Sequence, residues 1–387
     1  MARTTGNAKD LITFTRASTG TFLGSNGLLQ TAAINTPRVE YDANGVAKGL
    51  LIEEQRTNVI HYSEDFSQSV WKFANSGSTT LSNVTTAPDG TLSADEMRED
   101  LTTFEHRIFG YSGTWTTVSG TTYAFSIYLK ANGRTKVQLA AGGLGAGATT
   151  TFDLLLETAT GSGTITSVGN GWYRCVITGT SPSGGLLNPI IRTDDGSGIL
   201  YQGDGISGIY VWGAQFEAGS FPTSYIPTSG ATATRSADIA SVSVSEFGYN
   251  QAQGSVVVEA EVPADQSSIT ALLLLGPSTW AGSNANKIYS AASTSRHLRV
   301  FNSSSSEVVS IDAGETPVGQ TFKQAFALAS SDYAAVIDGG SVVTSAVSHT
   351  PSNVELMVIG AVARTHIKSI NYYPLRLSDA KLQSLTS

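Results

Sequence analysis

Polar and apolar residues alternate along many short stretches of this chain, and most stretches end in a turn. Residues 121–130 change side at every position and are followed by Asn132-Gly133. Residues 209–214 alternate in the same way, and the chain then meets Pro222 and Pro227, which cannot pair in a ladder. A period of two is typical of β-strands. The pattern therefore predicts an all-β chain whose strands are joined by short turns.

The strand segments fall into three blocks. The 387 residues are too many for one ordinary core. We predict an N-terminal attachment segment at 1–60, a β-sandwich of jelly-roll type at 61–228 and a second sandwich at 229–387. The first block is too short for its own core, so we expect it to pack on its neighbour, on another subunit or on another protein. The one helical turn in the pattern is terminal, with Ser378 as its N-cap.

Composition agrees with this fold class and excludes two kinds of partner. Charged residues make up 14% of the chain, which contains 40 glycines, so strands and turns are favoured over long helices. The net charge of −8 argues against nucleic acid and anionic membranes, because both require a basic surface. The longest apolar run, at 271–275, is far shorter than a membrane span. We also expect no signal peptide, because the amino terminus lacks an apolar region.

The single cysteine and the scattered histidines bear on cross-links and metals. Cys175 has no partner for an internal disulfide, which suits a chain that folds in a reducing cytoplasm. It alternates with Tyr173 and Ile177, so we predict that it is buried. The five histidines form no ligand pair at a useful spacing, which disfavours zinc.

Three sets of motifs resemble known modules. Residues 14–20, 35–41 and 49–58 resemble the opening of many tailed-phage virion proteins. The segments 64–71, 170–174 and 211–228 resemble the carbohydrate-binding-module-like jelly roll of these proteins. Residues 333–339 and 367–379 resemble a concanavalin A/laminin-G sandwich. Together these likenesses extend over nearly the whole chain.

The resemblance implies a function in a bacteriophage particle. It implies a virion structural protein, of the tail-fibre, head-fibre, spike or capsid-decoration type, made in the host cytoplasm. We predict an adhesin that binds host surface polysaccharide and other virion proteins as a homo-oligomer, for which a trimer is one form common in phage appendages. The competing interpretation is a purely structural decoration, spike-base or connector protein that binds virion proteins alone. A polysaccharide depolymerase is the third.

Two motif residues have structural interpretations. Trp172 is a large aromatic on a strand and is expected to fill the space between two sheets. Arg56 lies in a mixed stretch of acids and amides and is expected to pair with a carboxylate in bidentate fashion, bracing the first segment against the jelly roll.

Sugar recognition needs exposed aromatic rings beside hydrogen-bonding groups, so rings in turn-rich segments are the candidates. They are listed here with a neighbouring histidine: Trp115, Tyr111, His106, Tyr201 and Trp280. The alternative for each ring is that it fills one end of a sandwich.

The sequence allows two predictions about cofactors, which are no cofactor and a calcium site. Asp194, Asp195 and Asp204 supply three carboxylates in a turn-rich region. Calcium needs six or more oxygen ligands, and Asp-Gly sequences are also ordinary turn formers. We therefore predict a protein without cofactor, with calcium at these acids as the alternative.

One acidic pair raises the question of catalysis. Glu259 and Glu261 lie two apart on one strand and face the same side, roughly 7 Å apart. Laminarinase-type motifs, to which this pair is similar, continue with a third acid three residues on. Here that position is Ala264, after Pro263. We therefore predict that the chain is not an enzyme and that the two acids are solvent-facing residues of an edge strand.

Overall fold

The structure is a computed structural model of the whole chain. It describes residues 11–72, 77–110, 115–145, 148–263, 270–278, 286–292, 297–362 and 364–387.

The regular secondary structure of the described residues is almost entirely β-strand. The strands before residue 60 are β1 (Thr13–Thr15), β2 (Gly20–Leu23), β3 (Leu29–Ala32), β4 (Arg38–Tyr41), β5 (Ala47–Ile52) and β6 (Arg56–Asn58). The strands from 61 to 228 are β7 (Trp71–Lys72), β8 (Ser78–Thr85), β9 (Ala94–Glu99), β10 (Thr103–Glu105), β11 (Arg107–Gly110), β12 (Thr116–Thr117), β13 (Thr122–Asn132), β14 (Lys136–Gly142), β15 (Thr149–Asp153), β16 (Thr158–Ala159), β17 (Thr164–Gly169), β18 (Trp172–Thr180), β19 (Gly185–Leu186), β20 (Asn188–Asp194), β21 (Leu200–Gln202) and β22 (Gly208–Ala218). The elements after 228 are β23 (Ala233–Arg235), β24 (Ile239–Ser243), a 3-10 turn (Val244–Phe247), β25 (Gln253–Glu261), β26 (Thr270–Gly276), β27 (Ile288–Ala292), β28 (Leu298–Phe301), β29 (Glu307–Ile311), β30 (Thr321–Ala329), β31 (Tyr333–Ile337), β32 (Val343–Ser345), β33 (Leu356–Val362), β34 (Thr365–Tyr373) and the helix α1 (Asp379–Thr386).

Two six-stranded antiparallel sheets form the first sandwich. Their strand orders are β16-β15-β14-β20-β11-β7 and β17-β18-β13-β22-β9-β8. The alternating side chains of β13 and β14, such as Phe125, Ile127 and Leu139, enter the core between these sheets. Cys175 is fully buried in the same core, which confirms the prediction from its alternation, and burial raises the pKa of its thiol.

The outer face of the second of these sheets is also buried. Trp172, Trp212 and Tyr128 lie in a separate apolar cluster on this face, with Leu29 of the β2–β3 hairpin packed against it. The expectation that Trp172 fills the space between the two sheets is therefore wrong. Since residues 172 and 175 point to opposite faces of β18, Cys175 occupies the space between the sheets and Trp172 the outer layer.

Two seven-stranded sheets form the second sandwich. Their orders are β1-β24-β33-β26-β27-β28-β29 and β32-β31-β30-β25-β34-β5-β4. Three strands from the first 60 residues are thus part of these sheets: β1 pairs with β24, and β5 pairs with both β4 and β34. The prediction of an all-β chain with two sandwiches is confirmed.

The chain enters and leaves the first sandwich at one place. Strand β6, just before it, pairs with β23, just after it, and an isolated bridge joins Tyr62 to Ser229. We call this place the crossing. The strands before residue 60 and the strands after residue 228 therefore lie on the same side of the crossing. The division into three domains, with boundaries after residues 60 and 228, stays a prediction.

Helix α1 covers an outer face of the second sandwich. Its Leu382 packs with Val257, Ala325 and Val336 of the sheet below. Ser378 occupies the N-cap position, as the sequence predicts. Within the described residues, no helix combines the length and the apolar character needed to cross a bilayer.

A cluster of buried charges lies where the N-terminal segment meets the strands that follow the first sandwich. We call it the joint, and it consists of three arginines and two acids: Arg16, Arg38, Arg235, Glu53 and Asp238. Asp238 accepts hydrogen bonds from Arg16, at 3.1 Å, and from Arg38. Glu53 lies 2.9 Å from Arg38 and 3.5 Å from Arg235. These side chains are at most 1% exposed, so the ion pairs form out of contact with water.

The joint also contacts the exit of the first sandwich. Ser224 donates to Glu53 from its backbone N–H at 2.8 Å and from its hydroxyl at 2.6 Å. Burial alone would raise the pKa of Glu53, but nearby Arg235 and Arg38 hold it well below its usual range. Glu53 is therefore a carboxylate that links the first segment to both sandwiches.

Arg56 contacts the first sandwich directly. It donates to the carbonyl oxygen of Ala218, and its Nε lies 4.0 Å from a carboxylate oxygen of Glu217. Its Nη2 pairs with Glu54. Arg56 therefore pairs with carboxylates and contacts the first sandwich, but a single nitrogen approaches a single oxygen of each acid, so the expected bidentate pairing is wrong.

Glu40 lies beside the joint and makes the free energy of unfolding depend on pH. Burial alone would raise the pKa of Glu40, but the hydrogen bond to His366, at 2.6 Å, and the charges of His366 and Arg364 lower it to about 2. Because this value lies below the ordinary 4.5, the stabilisation is complete above pH ~4.5 and is lost as the pH falls towards 2.

We therefore expect Glu40→Gln to be destabilising at pH 7 by about 2–3 kcal/mol. The gap between the variant and the wild type should narrow steadily between pH 5 and pH 3. Urea unfolding of both proteins across this range measures the gap. A gap that stays constant with pH would contradict the assignment to Glu40.

Candidate functional site

One outer face of the first sandwich carries three cross-strand rows of outward-pointing side chains, of which the two rows rich in polar residues span four and three strands. We call it the polar face, and it belongs to the sheet that contains β7, β11, β20, β14 and β15. One row across it is Lys72, Phe109, Ile190, Ala140 and Thr149. The next row is Arg107, Arg192, Gln138 and Thr151. The third is Asp194, Lys136 and Asp153.

The alternation of each strand explains why these side chains point outward. On β20, Ile191 and Thr193 are fully buried, whereas Ile190 and Arg192 are only partly buried. On β11, Ile108 is fully buried and its neighbours are partly exposed. Since the inward residues belong to the core, the outward residues share one surface held by backbone hydrogen bonds.

A network of charge-assisted hydrogen bonds orders the second row of the polar face. Glu105, at the end of β10, accepts from Arg107 at 2.6 Å and from Arg192 at 3.2 Å, both through Oε2. Arg192 also donates to the side-chain oxygen of Gln138 at 3.0 Å. Because β-strands support every member, the guanidinium groups are held in place before any ligand arrives.

The first row supplies an aromatic ring. Phe109 is partly exposed, with Lys72 directly opposite on one neighbouring strand and Ile190 on the other. The guanidinium carbon of Arg107 lies 5.2 Å from the centre of this ring. A ring flanked by fixed donors and acceptors can stack on the C–H face of a sugar while its hydroxyl groups are hydrogen-bonded.

Of the ring candidates from the sequence, Trp115 is 2% exposed. Its ring centre lies 5.5 Å from that of Trp71 and 6.0 Å from that of His61, each in an edge-on arrangement. It is part of the core of the first sandwich, so the expectation of an exposed ring is wrong at this position. The ring fills the sandwich instead of facing solvent, in agreement with the alternative interpretation of the candidate rings.

Tyr201 and His106 do lie together, but both are buried. Their exposures are 5% and 0%, and their ring centres are 4.6 Å apart. The hydroxyl of Tyr201 donates to Glu99 at 2.7 Å, and Arg134 lies over its ring. Here too the expectation of exposure is wrong, because strand β21 turns Tyr201 inward. The remaining ring candidates, Tyr111 and Trp280, lie outside the described residues.

The three candidate calcium ligands organise turns. Asp194 accepts from the N–H of Gly196 at 2.7 Å, and Asp195 from the N–H of Ser197 at 2.9 Å. Asp204 accepts from the backbone of Ser207 and Ile206, and these bonds lower its pKa. Within the part of the chain that the structure describes, no group of three acids, histidines or cysteines is placed to hold a metal ion.

The acid pair Glu259 and Glu261 lies on β25, which sits between β30 and β34. The interpretation of these residues as acids of an edge strand is therefore wrong. Glu261 forms an ion pair with Lys48 at 2.7 Å. Ala264, the position of the missing third acid, lies outside the described residues.

Sequence reasoning missed the polar face because it searched for rings in turns. A signal was nevertheless present. In Asn188–Asp194, partly buried residues alternate with buried ones, and Lys136–Gly142 begins with the same pattern. Arg192 and Gln138, on the outward positions, mark a strand face that is more polar than solubility requires.

Comparison with known proteins gave limited matches. No family model matches the chain, and none of the curated proteins matches it. Among solved structures, NanB plus Optactamide is 18% identical with a TM-score of 0.31, over 37% of this chain and 26% of that one. This chain thus spans about a quarter of that structure.

Two further solved structures match over longer stretches. One is the N-terminal CBM22-1–CBM22-2 tandem domain of Paenibacillus barcinonensis Xyn10C, 9% identical with a TM-score of 0.28, over 83% of this chain and 98% of that one. The other is the Trypanosoma rangeli sialidase in complex with the inhibitor DANA, 12% identical with a TM-score of 0.30, over 94% and 69%. The prediction that this chain is not an enzyme is contradicted by the sialidase among these structures and is withdrawn.

Proposed function

We propose that this chain binds glycans through the polar face and acts as an adhesin for host cell-surface polysaccharide on a phage virion. The observation that carries the proposal is a partly exposed ring, Phe109, beside an in-register row of Arg107, Arg192 and Gln138 on three adjacent strands. Stacking and directed hydrogen bonds are the two interactions that a sugar ring requires.

The virion context is supported by the sequence motifs. Residues 14–20, 35–41 and 49–58, which resemble phage virion proteins, contribute Arg16, Arg38 and Glu53 to the joint. On this proposal the N-terminal segment connects the glycan-binding sandwich to the particle, where other virion proteins are its partners. Many copies on one particle amplify weak individual binding, because a second contact is then intramolecular.

The competing structural role makes a different prediction. If the chain is only a decoration or connector protein, the polar face meets another virion protein and has no affinity for sugars. A glycan array probed with the full chain, displayed in many copies on beads, separates the two. Binding to a defined set of glycans supports the adhesin. Absence of binding to both glycans and host cells would remove it.

The ring at the centre of the face provides the sharpest substitution. Phe109→Ala is expected to weaken glycan binding about tenfold, because a stacked ring is lost without loss of a core side chain. Phe247→Ala, at a partly exposed phenylalanine in the 3-10 turn of the second sandwich, is the matched control and should bind like the wild type. Calorimetry with the glycans that bind on the array measures the affinities of the wild type and of both variants. Chromatography of the polysaccharide after incubation shows whether binding is accompanied by cleavage.

A further inference from the structure

Two arginines on the polar face are placed against each other. Arg107 on β11 and Arg192 on β20 are direct cross-strand partners. Like charges at such positions repel and destabilise the strand pair. Among the described residues, Glu105 provides the one carboxylate in contact with both, and the same oxygen atom accepts from the two guanidinium groups.

The hydrogen-bonding capacity of this pair is largely unused. Within the described residues, the hydrogen bonds of Arg107 end on Glu105, and those of Arg192 end on Glu105 and Gln138. Each guanidinium carries five N–H donors in a fork that matches a carboxylate or sulfate group. The side chains of Arg107 and Arg192 are 25% and 16% exposed, so solvent and ligands can reach them.

The charge of the face differs from that of the chain. The whole chain carries −8. The three rows of the polar face and the adjoining Glu105 instead carry four cations against three carboxylates: Lys72, Arg107, Lys136 and Arg192 against Glu105, Asp153 and Asp194. At physiological ionic strength, charges more than about 8 Å away are largely screened. A ligand bound on the polar face therefore interacts more strongly with Arg107 and Arg192 than with the acidic residues elsewhere on the chain.

We propose that the polar face selects glycans that carry acidic groups, and that Arg107 and Arg192 together bind the acidic group. This inference rests on the proposed glycan-binding function and names its ligand class. The acidic group of the glycan either takes the place of Glu105 at some of the guanidinium N–H donors or accepts from donors that Glu105 does not use. In both cases its negative charge offsets the repulsion between the two arginines.

The experiment compares acidic polysaccharides with neutral counterparts of the same backbone. The probes are polygalacturonate and its carboxyl-reduced form, and dextran sulfate and dextran. The full chain is expected to bind at least one acidic probe about tenfold more tightly than its neutral counterpart, with affinity falling as salt is raised. Preference for polygalacturonate identifies a carboxylate, and preference for dextran sulfate identifies a sulfate.

Substitutions then test the two arginines. The double variant Arg107→Gln, Arg192→Gln is expected to lose the preference for the acidic probe. Arg299→Gln, at a similarly exposed arginine paired with Glu307 in the second sandwich, should keep it. Glu105→Gln frees the pair from its own carboxylate and should raise affinity for the acidic probe about threefold, a gain that misfolding cannot produce.

Each outcome bears on one proposal. Equal binding to acidic and neutral probes overturns the selection of acidic glycans and leaves glycan binding intact. Unchanged preference in the double arginine variant, or weaker acidic binding in Glu105→Gln, also overturns it. Failure of the full chain to bind any of the four probes or any array glycan removes glycan binding itself.

Discussion

Asp238→Asn is expected to lower the free energy of unfolding by about 3–5 kcal/mol. The substitution keeps the size of the side chain but removes the charge that Arg16 and Arg38 share. It also weakens the acceptor for the backbone N–H of Glu53, at 2.9 Å. Three guanidinium groups would then face the single carboxylate of Glu53 in a site closed to water. Urea unfolding followed by tryptophan fluorescence measures the loss.

Asp332→Asn provides the matched control. Asp332 pairs with Arg376 at 2.8 Å, a distance similar to that in the joint, but its side chain is 57% exposed. Water replaces this ion pair when it is removed, so a loss below about 1 kcal/mol is expected. Equal losses in the two variants would contradict the conclusion that burial of the joint makes its ion pairs indispensable.

Asn58→Ala is expected to destabilise the protein by about 4 kcal/mol, since four hydrogen bonds inside the protein lose their partner. The Asn58 side chain donates to the carbonyl oxygens of Ala214 and Ile226, at 3.2 and 2.9 Å. It accepts from the N–H groups of Ile60 and Phe216, at 3.1 and 3.0 Å. This one amide therefore ties the entry of the first sandwich to its last strand and to its exit. Thermal and urea unfolding both report the change.

Asn302→Ala is the control for this substitution. Asn302 also accepts from two backbone N–H groups, those of Ser304 and Ser306, but it does so in an exposed turn. Its loss should cost about 1 kcal/mol or less, because water can take its place. A small loss for Asn58→Ala, comparable to that of Asn302→Ala, would show that residues 58–60 and 214–226 are held together by other contacts.

The joint and Asn58 bear on function through rigidity. Both lie at the crossing where the chain enters and leaves the first sandwich. On the proposed function, a sandwich that binds glycans on a particle would transmit force to its base when the particle attaches to a cell. Buried ion pairs and a saturated amide at this crossing resist relative displacement of the two sandwiches, because any opening exposes unpaired charges and backbone groups to a poorly hydrated space.

The candidate site shows where sequence reasoning reached its limit. The stretch 53–58 was correctly interpreted as a polar connection, because acids, arginine and amides together rarely form an apolar core. The rings were misassigned because an aromatic residue in a turn-rich segment fills a sandwich end as readily as it faces solvent. Trp115 and Tyr201 both do so. Exposure depends on neighbours that are distant in the chain.

Local alternation was sufficient to predict strands such as β13 and β22 and the burial of Cys175, because the period of two is a property of a single strand. Partner choice is a property of the whole chain. Strand β5 pairs with β34, more than 300 residues later, and Lys72, Phe109 and Ile190 form a row although they come from separate segments. Backbone hydrogen bonds are the same for every sequence, so register and strand order depend on which faces can be buried together. That condition is met only in the folded protein, and it places the polar face and the joint where they are.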